Sequence, residues 1–124
     1  SRERPGEVDP ARWIMSLAAP IADDIFDADG DVLLFDVRGL GAVGFQLSGT
    51  FTLTVQFEAT VDGETFVGLN MLPSNSATAV SSTTAAGAWR ANVAGYRYVR
   101  ARVSAYTSGS ANATFLAAST GGAH

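Results

Sequence analysis

The sequence predicts an all-β protein, namely an antiparallel β-sandwich of the jelly-roll or immunoglobulin-like type with an extended N-terminal arm. From Val32 onward, apolar and polar residues alternate at every second position, which is the period of a half-buried strand. Turn residues break this alternation into short segments. With 124 residues, 47% of them hydrophobic and 16% charged, the chain suffices for one packed core and is too short for two.

Residues 1–31 differ in composition from the rest of the chain, since they hold three of the four prolines and most of the acids. We assign them to an N-terminal arm and lead-in segment. Residues 1–11 are expected to be extended, and residues 11–20 (ARWIMSLAAP) to form a short helix or a strand. Residues 32–120 are expected to form the sandwich, and residues 121–124 a flexible tail.

The clearest strand pattern lies in residues 51–61 (FTLTVQFEATV), where odd positions are apolar and even positions are mostly polar. Asp62 and Gly63 follow and predict a DG hairpin turn, with residues 64–72 as the return strand. Glycine-rich turns are predicted around residues 39–44, 48–50 and 108–110. The other predicted strands are residues 32–38, 78–83, 89–93, 96–106 and 111–118.

Several classes of catalytic site lack their residues. The chain contains no cysteine and no lysine, which removes thiolate metal sites, cysteine nucleophiles and lysine Schiff bases. The single histidine, His124, is the last residue of the sequence. Glu58 and Glu64 flank the predicted hairpin, but nothing in the sequence places them in a groove, as a glycosidase pair would require. We therefore expect no enzymatic activity and no cofactor.

An acidic cluster in the lead-in segment raises the question of a calcium site, because calcium prefers several oxygen ligands. The cluster fails the EF-hand pattern, since Val32 and Arg38 stand where glycine and glutamate are required. A looser site is a weak alternative to a solvated acidic turn, which we favour. The cluster consists of Asp23, Asp24 and the three candidate ligands Asp27, Asp29 and Asp31.

The basic residues of the second half of the chain stand in the segment WRANVAGYRYVRARVSAY (residues 89–106). No acid follows Glu64, although the chain has a net charge of −4. Strand parity predicts an inward and an outward set in this segment, and the inward set is Trp89, Ala91, Val93, Val99, Ala101, Val103 and Ala105. We expect the outward set to form an interaction surface for a protein first, a sugar second and nucleic acid a distant third, because the net charge is negative. This surface comprises Arg90, Tyr98, Arg100, Arg102 and Tyr106.

No membrane partner is expected. The first residues, SRERPGEVDPARW, lack the apolar run of a secretory signal. The uncharged stretches at residues 65–89 and 103–123 are interrupted by Ser, Thr, Asn and Gly, whereas a spanning helix needs about 20 predominantly apolar residues.

Three segments in this order resemble β-sandwich domains of tailed-bacteriophage and prophage structural proteins. They are the hairpin TVQFEATVDGETFVGLN, the loop SSTTAAGAW and the segment NVAGYRYVRARVSAYTSGSA. The resemblance covers about residues 32–118, and it implies no catalytic residues. Such domains appear in capsid decoration proteins, head fibres, and tail or baseplate proteins.

The resemblance implies a non-enzymatic virion structural protein, and we expect a capsid decoration or cementing subunit. The alternatives are a polysaccharide- or receptor-binding module on a head spike or fibre, and a tail or baseplate component. Expected partners are other virion proteins, further copies of the same chain, and host surface glycan in the second case. The expected location is the virion, after synthesis in the bacterial host cytoplasm.

Overall fold

The computed structural model describes residues 21–118, all of them in strands, turns and loops and none in a helix. The predictions for residues 1–20 and for the C-terminal tail lie outside the described residues. Accordingly, no helix long and apolar enough to cross a membrane occurs between residues 21 and 118. The strands are β1 (Ile21–Phe26), β2 (Val32–Asp36), β3 (Ala42–Thr60), β4 (Val67–Gly68), β5 (Leu72–Pro73), β6 (Ser82–Thr83), β7 (Gly87–Asn92) and β8 (Tyr98–Ala118).

Two long strands form the central pair of the sheet. β3 and β8 contain 19 and 21 residues and pair antiparallel along their whole length. On the side of β8 that does not pair with β3, β1 pairs with residues 111–116 and β2 with residues 98–102. β7, β6 and β4 pair with successive parts of the other side of β3, and β5 pairs with β7. All eight strands therefore belong to one antiparallel sheet.

The paired strands β3 and β8 form a two-stranded ribbon, which is folded back on itself. The rings of Phe45 and Phe57 both belong to β3, yet their centroids are only 5.4 Å apart. In a straight strand these two residues would be separated by about 40 Å. The strand must therefore reverse direction between them, and the two halves of the ribbon face each other as the two layers of a sandwich.

The core lies between these two halves. Phe45 and Phe115 come from one half, with their ring centroids 4.8 Å apart, and Phe35 stacks on Phe115 at 5.5 Å. Trp89 packs against both Phe45 and Phe57. Every odd residue of β3 from Leu53 to Ala59 is buried, as the alternation predicts. The all-β antiparallel sandwich predicted from the sequence is confirmed.

Two glycines permit the reversal. Gly49 of β3 and Gly109 of β8 have φ angles of +116° and +84°, a region that glycine enters without penalty. Their backbones also approach the partner strand closely. A β-carbon on Gly109 would lie 2.3 Å from the carbonyl oxygen of Thr50 and 2.6 Å from the α-carbon of Phe51. No residue with a side chain fits there without displacement of the opposite backbone.

β8 needs two residues more than β3 to complete the ribbon. Register shifts occur between Thr52 and Leu53 and between Thr54 and Val55, so that Thr107 and Ser104 have no direct partner in β3. Each of these unpaired residues forms a β-bulge, which bends the strand locally. Beyond each bulge, the side chains of β8 that had pointed outward at even positions do so at odd positions, or the reverse. Both bulges lie close to the reversal, where the two strands follow paths of different length.

Two predicted turns are wrong. The Ser-Gly-Thr and Ser-Gly-Ser segments were expected to end strands, but they lie opposite each other in the ladder, with Thr50 paired to Ser110. Each glycine bends its strand without ending it, because the partner strand bends at the same place. The predicted strands 96–106 and 111–118 are thus one strand, β8, and the predicted strand 51–61 is the second half of β3, which begins at Ala42 within a predicted glycine-rich turn.

Two other segments also differ from the prediction. Residues 21–26 were assigned to the lead-in, yet β1 pairs with residues 111–116 of β8 and places Phe26 in the core. Asp62 and Gly63 lie in a hairpin, but β4 begins only at Val67, so the connection is longer than a two-residue turn. The Asp62 carboxylate accepts hydrogen bonds from the N–H groups of Glu64 and Thr65, and these bonds stabilise the longer loop.

Replacing Gly109 with alanine should destabilise the protein much more than replacing Gly30. The two glycines have nearly equal φ angles, +84° and +85°, but a β-carbon on Gly30 meets no atom within 4 Å. Gly30→Ala should therefore cost about 1–2 kcal/mol for the backbone conformation alone. Gly109→Ala adds the clash with Thr50 and Phe51 and should cost about 3 kcal/mol or more. Urea unfolding followed by tryptophan fluorescence measures both, and equal losses would contradict the close approach.

Candidate interaction surface on the outer face

The predicted interaction surface is partly assembled, around the carboxylate of Glu58, which is not one of the five predicted surface residues. On the outer face of the ribbon, Glu58 of β3 lies directly opposite Arg100 of β8, and Arg102 is opposite the neighbouring Gln56. All four residues occupy even positions, whose side chains point away from the core. The register thus brings one acid next to two arginines.

Glu58 binds both arginines. Arg100 donates from Nε to Glu58 Oε1 at 2.6 Å. Arg102 donates from Nη2 to Oε2 at 2.8 Å and from Nε to Oε1 at 3.2 Å. The Glu58 side chain is only 15% exposed, against 26% for Arg100 and 36% for Arg102. The three charges form one half-buried network in which a single acid is shared by two bases.

The network keeps Glu58 ionised. The hydrogen bonds from Arg102 lower the pKa of the Glu58 carboxyl, and those from Arg100 and the positive charge of both arginines act in the same direction, against an opposing effect of burial. A carboxyl with a lowered pKa is a poor proton donor at neutral pH. Glu58 therefore lacks the raised pKa that an acid catalyst of the glycosidase type requires.

Apolar groups surround the charged network. The guanidinium carbon of Arg100 lies 3.8 Å from the centroid of the Phe66 ring, in cation–π geometry. On the opposite side, Leu34 of β2 lies next to Arg100, and Val32 lies next to Arg102. We call this set the outer-face patch: Val32, Leu34, Glu58, Phe66, Arg100 and Arg102.

Tyr98 borders the outer-face patch. It lies in the same strand as Arg100, between Asp36 of β2 and Thr60 of β3. The guanidinium carbon of Arg38 is 5.8 Å from its ring centroid, and Arg38 also binds Asp36 through Nε at 3.0 Å. The hydrogen bonds from Arg38 lower the pKa of the Asp36 carboxyl. Tyr98 thus lies beside the exposed residues Arg38 and Asp36, as expected for the outward orientation that was predicted for it.

Tyr106 does not belong to this face. The prediction placed it outward with Arg100, but the bulge at Ser104 reverses the parity of β8 after Val103. Tyr106 consequently pairs with the buried Leu53, packs against the core, and donates its hydroxyl to the carbonyl of Gly109 at 2.8 Å. Ala105, predicted to be buried, is exposed for the same reason. The expected face of two tyrosines and two arginines is therefore not formed.

Arg90 lies in the other half of the ribbon. β7 pairs with residues 42–47 of β3, whereas Arg100 lies opposite Glu58, beyond the reversal at Gly49. Arg90 borders a shallow groove that also includes Asn70, Leu72 and Asn92. The arginines of the predicted interaction surface are thus divided between two separate surfaces.

The acidic turn between β1 and β2 shows an internal role for one of its acids. The carboxylate of Asp31 accepts hydrogen bonds from the N–H groups of Asp27 and Ala28, at 2.9 and 3.0 Å. Across residues 21–118, no three acidic or histidine side chains come together as a metal site would require. The structure does not assemble Asp27, Asp29 and Asp31 into a calcium site.

The fold is shared with solved structures of two prophage-derived proteins. SPBc2 prophage-derived protein YomS aligns over 82% of this chain and 98% of its own, with a TM-score of 0.65 and 15% sequence identity. PBSX exported protein XepA aligns over 81% of this chain with a TM-score of 0.68 and 20% identity, and the aligned part is only 38% of XepA. These likenesses establish the fold.

A carbohydrate-binding module from Clostridium stercorarium, solved with cellobiose, aligns with a TM-score of only 0.37, which does not establish a common fold. No protein-family model matches the chain. No curated protein sequence matches it either.

Glu58→Gln should destabilise the protein by about 1 kcal/mol at neutral pH, because two half-exposed arginines lose their charged acceptor. The pKa of Glu58 is lower in the folded than in the unfolded state, so its contribution is complete above the ordinary value of 4.5 and is lost as the pH falls through the lowered pKa. The difference in the free energy of unfolding between wild type and Glu58→Gln should therefore shrink below about pH 4.5.

Urea unfolding at pH 7 and at several values below pH 4.5 measures this difference. Glu64→Gln is the matched control, because Glu64 lies in the exposed hairpin loop. Its backbone N–H, which the substitution keeps, is the group that donates to the Asp62 carboxylate. It should leave stability unchanged at neutral pH. A loss for Glu58→Gln that is independent of pH would contradict the role of the charge.

Proposed function

We propose that the protein is a non-enzymatic structural subunit of a tailed phage or phage-like particle, and more narrowly a capsid decoration or cementing subunit. The observation that carries the proposal is the nearly complete correspondence with one prophage-derived protein, since the alignment takes in 98% of YomS and 82% of this chain. The motif resemblance to phage structural proteins, which was found in the sequence alone, supports the same proposal.

The outer-face patch suits contact with a protein. Its charges are already paired within the molecule, so a partner would meet a rigid surface with apolar groups at its margin. Glu58 shares its carboxylate between Arg100 and Arg102, which leaves donors on both guanidinium groups available to a partner. Exposed ion pairs contribute about 0–1 kcal/mol each, so such charges set orientation and partner choice more than affinity.

Binding of nucleic acid or of glycan receives less support. Arg90 lies on a different surface from Arg100 and Arg102, and the charges of the latter two are neutralised in part by Glu58. This arrangement lacks the continuous basic surface that contacts phosphates. Tyr98 and Tyr106 were the candidate sugar platform, but they lie on opposite sides of the sheet.

The proposal can be tested on particles purified from the bacterium that produces the protein. An antibody against the protein, coupled to gold, should label the head surface in electron micrographs. Mass spectrometry should find the chain in a constant ratio to the major capsid protein. Particles from a deletion strain are the control and should remain unlabelled.

Labelling confined to the tail would replace the decoration proposal with a tail or baseplate component. Absence of the protein from purified particles, combined with its presence in the surrounding lysate, would overturn a structural role altogether. If the protein binds host capsule or cell-wall glycan but no particle, the glycan-binding alternative replaces both.

A further inference from the structure

β2 forms an open edge of the sheet. Two hydrogen bonds at its ends show which of its residues bond to β8. Val103 donates its N–H to the carbonyl of Asp31, and Val37 donates its N–H to the carbonyl of Arg97. Antiparallel ladders alternate between residues that bond to the partner strand and residues that do not. Leu33 and Phe35 therefore bond to β8 as well, and the even residues point their N–H and C=O groups out of the sheet.

Three residues, Val32, Leu34 and Asp36, thus present backbone donors and acceptors at this edge. β8 is the only strand that pairs with β2 between residues 21 and 118, and no carbonyl of a turn or loop in that range accepts a hydrogen bond from the N–H of Val32 or Leu34. The exposed edge runs for five residues, as long as an average strand.

The neighbouring edge strand, β1, is protected where β2 is not. Asp23 and Asp24 place two charges in the middle of β1, and the carboxylate of Asp24 accepts the N–H of Ile25 at 2.8 Å. Charges and side-chain caps of this kind discourage the pairing of edge strands. β2 carries no charge before Asp36, its last residue.

The outward side chains of β2 are also apolar. Leu34 is 51% exposed and Val32 39% exposed, although both stand in a strand whose other face is fully packed. An unpaired edge with exposed β-branched and aliphatic side chains is a template for a further strand.

We propose that β2 pairs with β2 of a second copy of this chain, antiparallel and around a two-fold axis at Leu34. In this register Leu34 faces Leu34 of the second copy, with about 5.5 Å between their α-carbons. Val32 faces Asp36 of the second copy, and the reverse contact is identical. The sheet continues from one copy into the other, and both outer-face patches lie on the same side of it.

The charges at the two ends of β2 favour a second copy over an unrelated strand. Arg38 and Arg97 lie at one end with Asp36, which Arg38 binds, so this end keeps a net positive charge. The acidic turn of residues 27–31 lies at the other end. The two-fold register places Arg38 opposite Gly30 of the second copy, between Asp29 and Asp31. Each basic end therefore meets an acidic turn, twice in the dimer, and this complementarity selects the antiparallel arrangement.

This inference goes beyond the proposed function and does not depend on it, because dimerisation is measured on the isolated protein whether or not a phage particle contains it. Sedimentation equilibrium of the full chain, over a range of concentrations, should show a reversible monomer–dimer equilibrium. The amide hydrogens of Val32 and Leu34 should exchange more slowly at dimer concentrations than in dilute solution.

Leu34→Lys is the first variant, because two copies would bring like charges face to face at the axis. We expect it to raise the dimer dissociation constant about tenfold or more. Leu116→Lys is the matched control, since Leu116 is also 51% exposed but lies in β8, which has a partner strand on both sides. It should leave the dissociation constant unchanged, and circular dichroism should confirm that both variants are folded.

A charge exchange tests the register itself. Arg38→Glu should weaken the dimer, and Asp29→Arg in the same chain should restore it, since the two positions meet only between copies. A strictly monomeric wild type would overturn the proposal, as would an equal effect of Leu34→Lys and Leu116→Lys. Failure of the double variant to recover affinity would overturn the two-fold register.

Discussion

The close approach of two backbones at the reversal of the β3–β8 ribbon is the constraint on which the rest of the structure depends. Gly49 and Gly109 lie almost opposite each other, and a β-carbon on either would fall within 3 Å of the facing backbone. Because both strands bend there together, their ladder continues through the bend. One sheet thereby supplies both layers of the sandwich, and Phe45 and Phe57 of the same strand meet in the core.

The reversal also determines which residues share a surface. Arginines that follow one another in the sequence are separated when they fall on different sides of the bend, as Arg90 and Arg100 do. The bulges next to the bend then decide which side chains of β8 face outward, so that Arg102 remains outside and Tyr106 turns towards the core. The outer-face patch is thus a product of register and bulges as much as of composition.

Strand parity correctly predicted which side chains are buried where burial depends on the alternation within a single strand. Alternation predicted correctly that the odd positions of β3 from Leu53 to Ala59 are buried and that Glu58 points outward, but Val61, an odd position of the same pattern, is 64% exposed. In β8 it placed Val99, Ala101 and Val103 correctly inside. It could not show that Glu58 lies opposite Arg100, because pairing of residues 42 positions apart depends on tertiary register. A glycine flanked by serine is likewise compatible with a turn or with a bend, and only the partner strand decides between them. β1 escaped detection because only Phe26 of its six residues is buried.

The continuous ladder through the reversal can be measured directly in solution. In a nuclear Overhauser spectrum of the uniformly labelled protein, the account predicts backbone cross-peaks between Gly49 and Ala111 and between Phe51 and Gly109, together with contacts between the rings of Phe45 and Phe57. Cross-strand peaks that stop on either side of the two glycines, with turn contacts within residues 48–50 and 108–110 in their place, would contradict it.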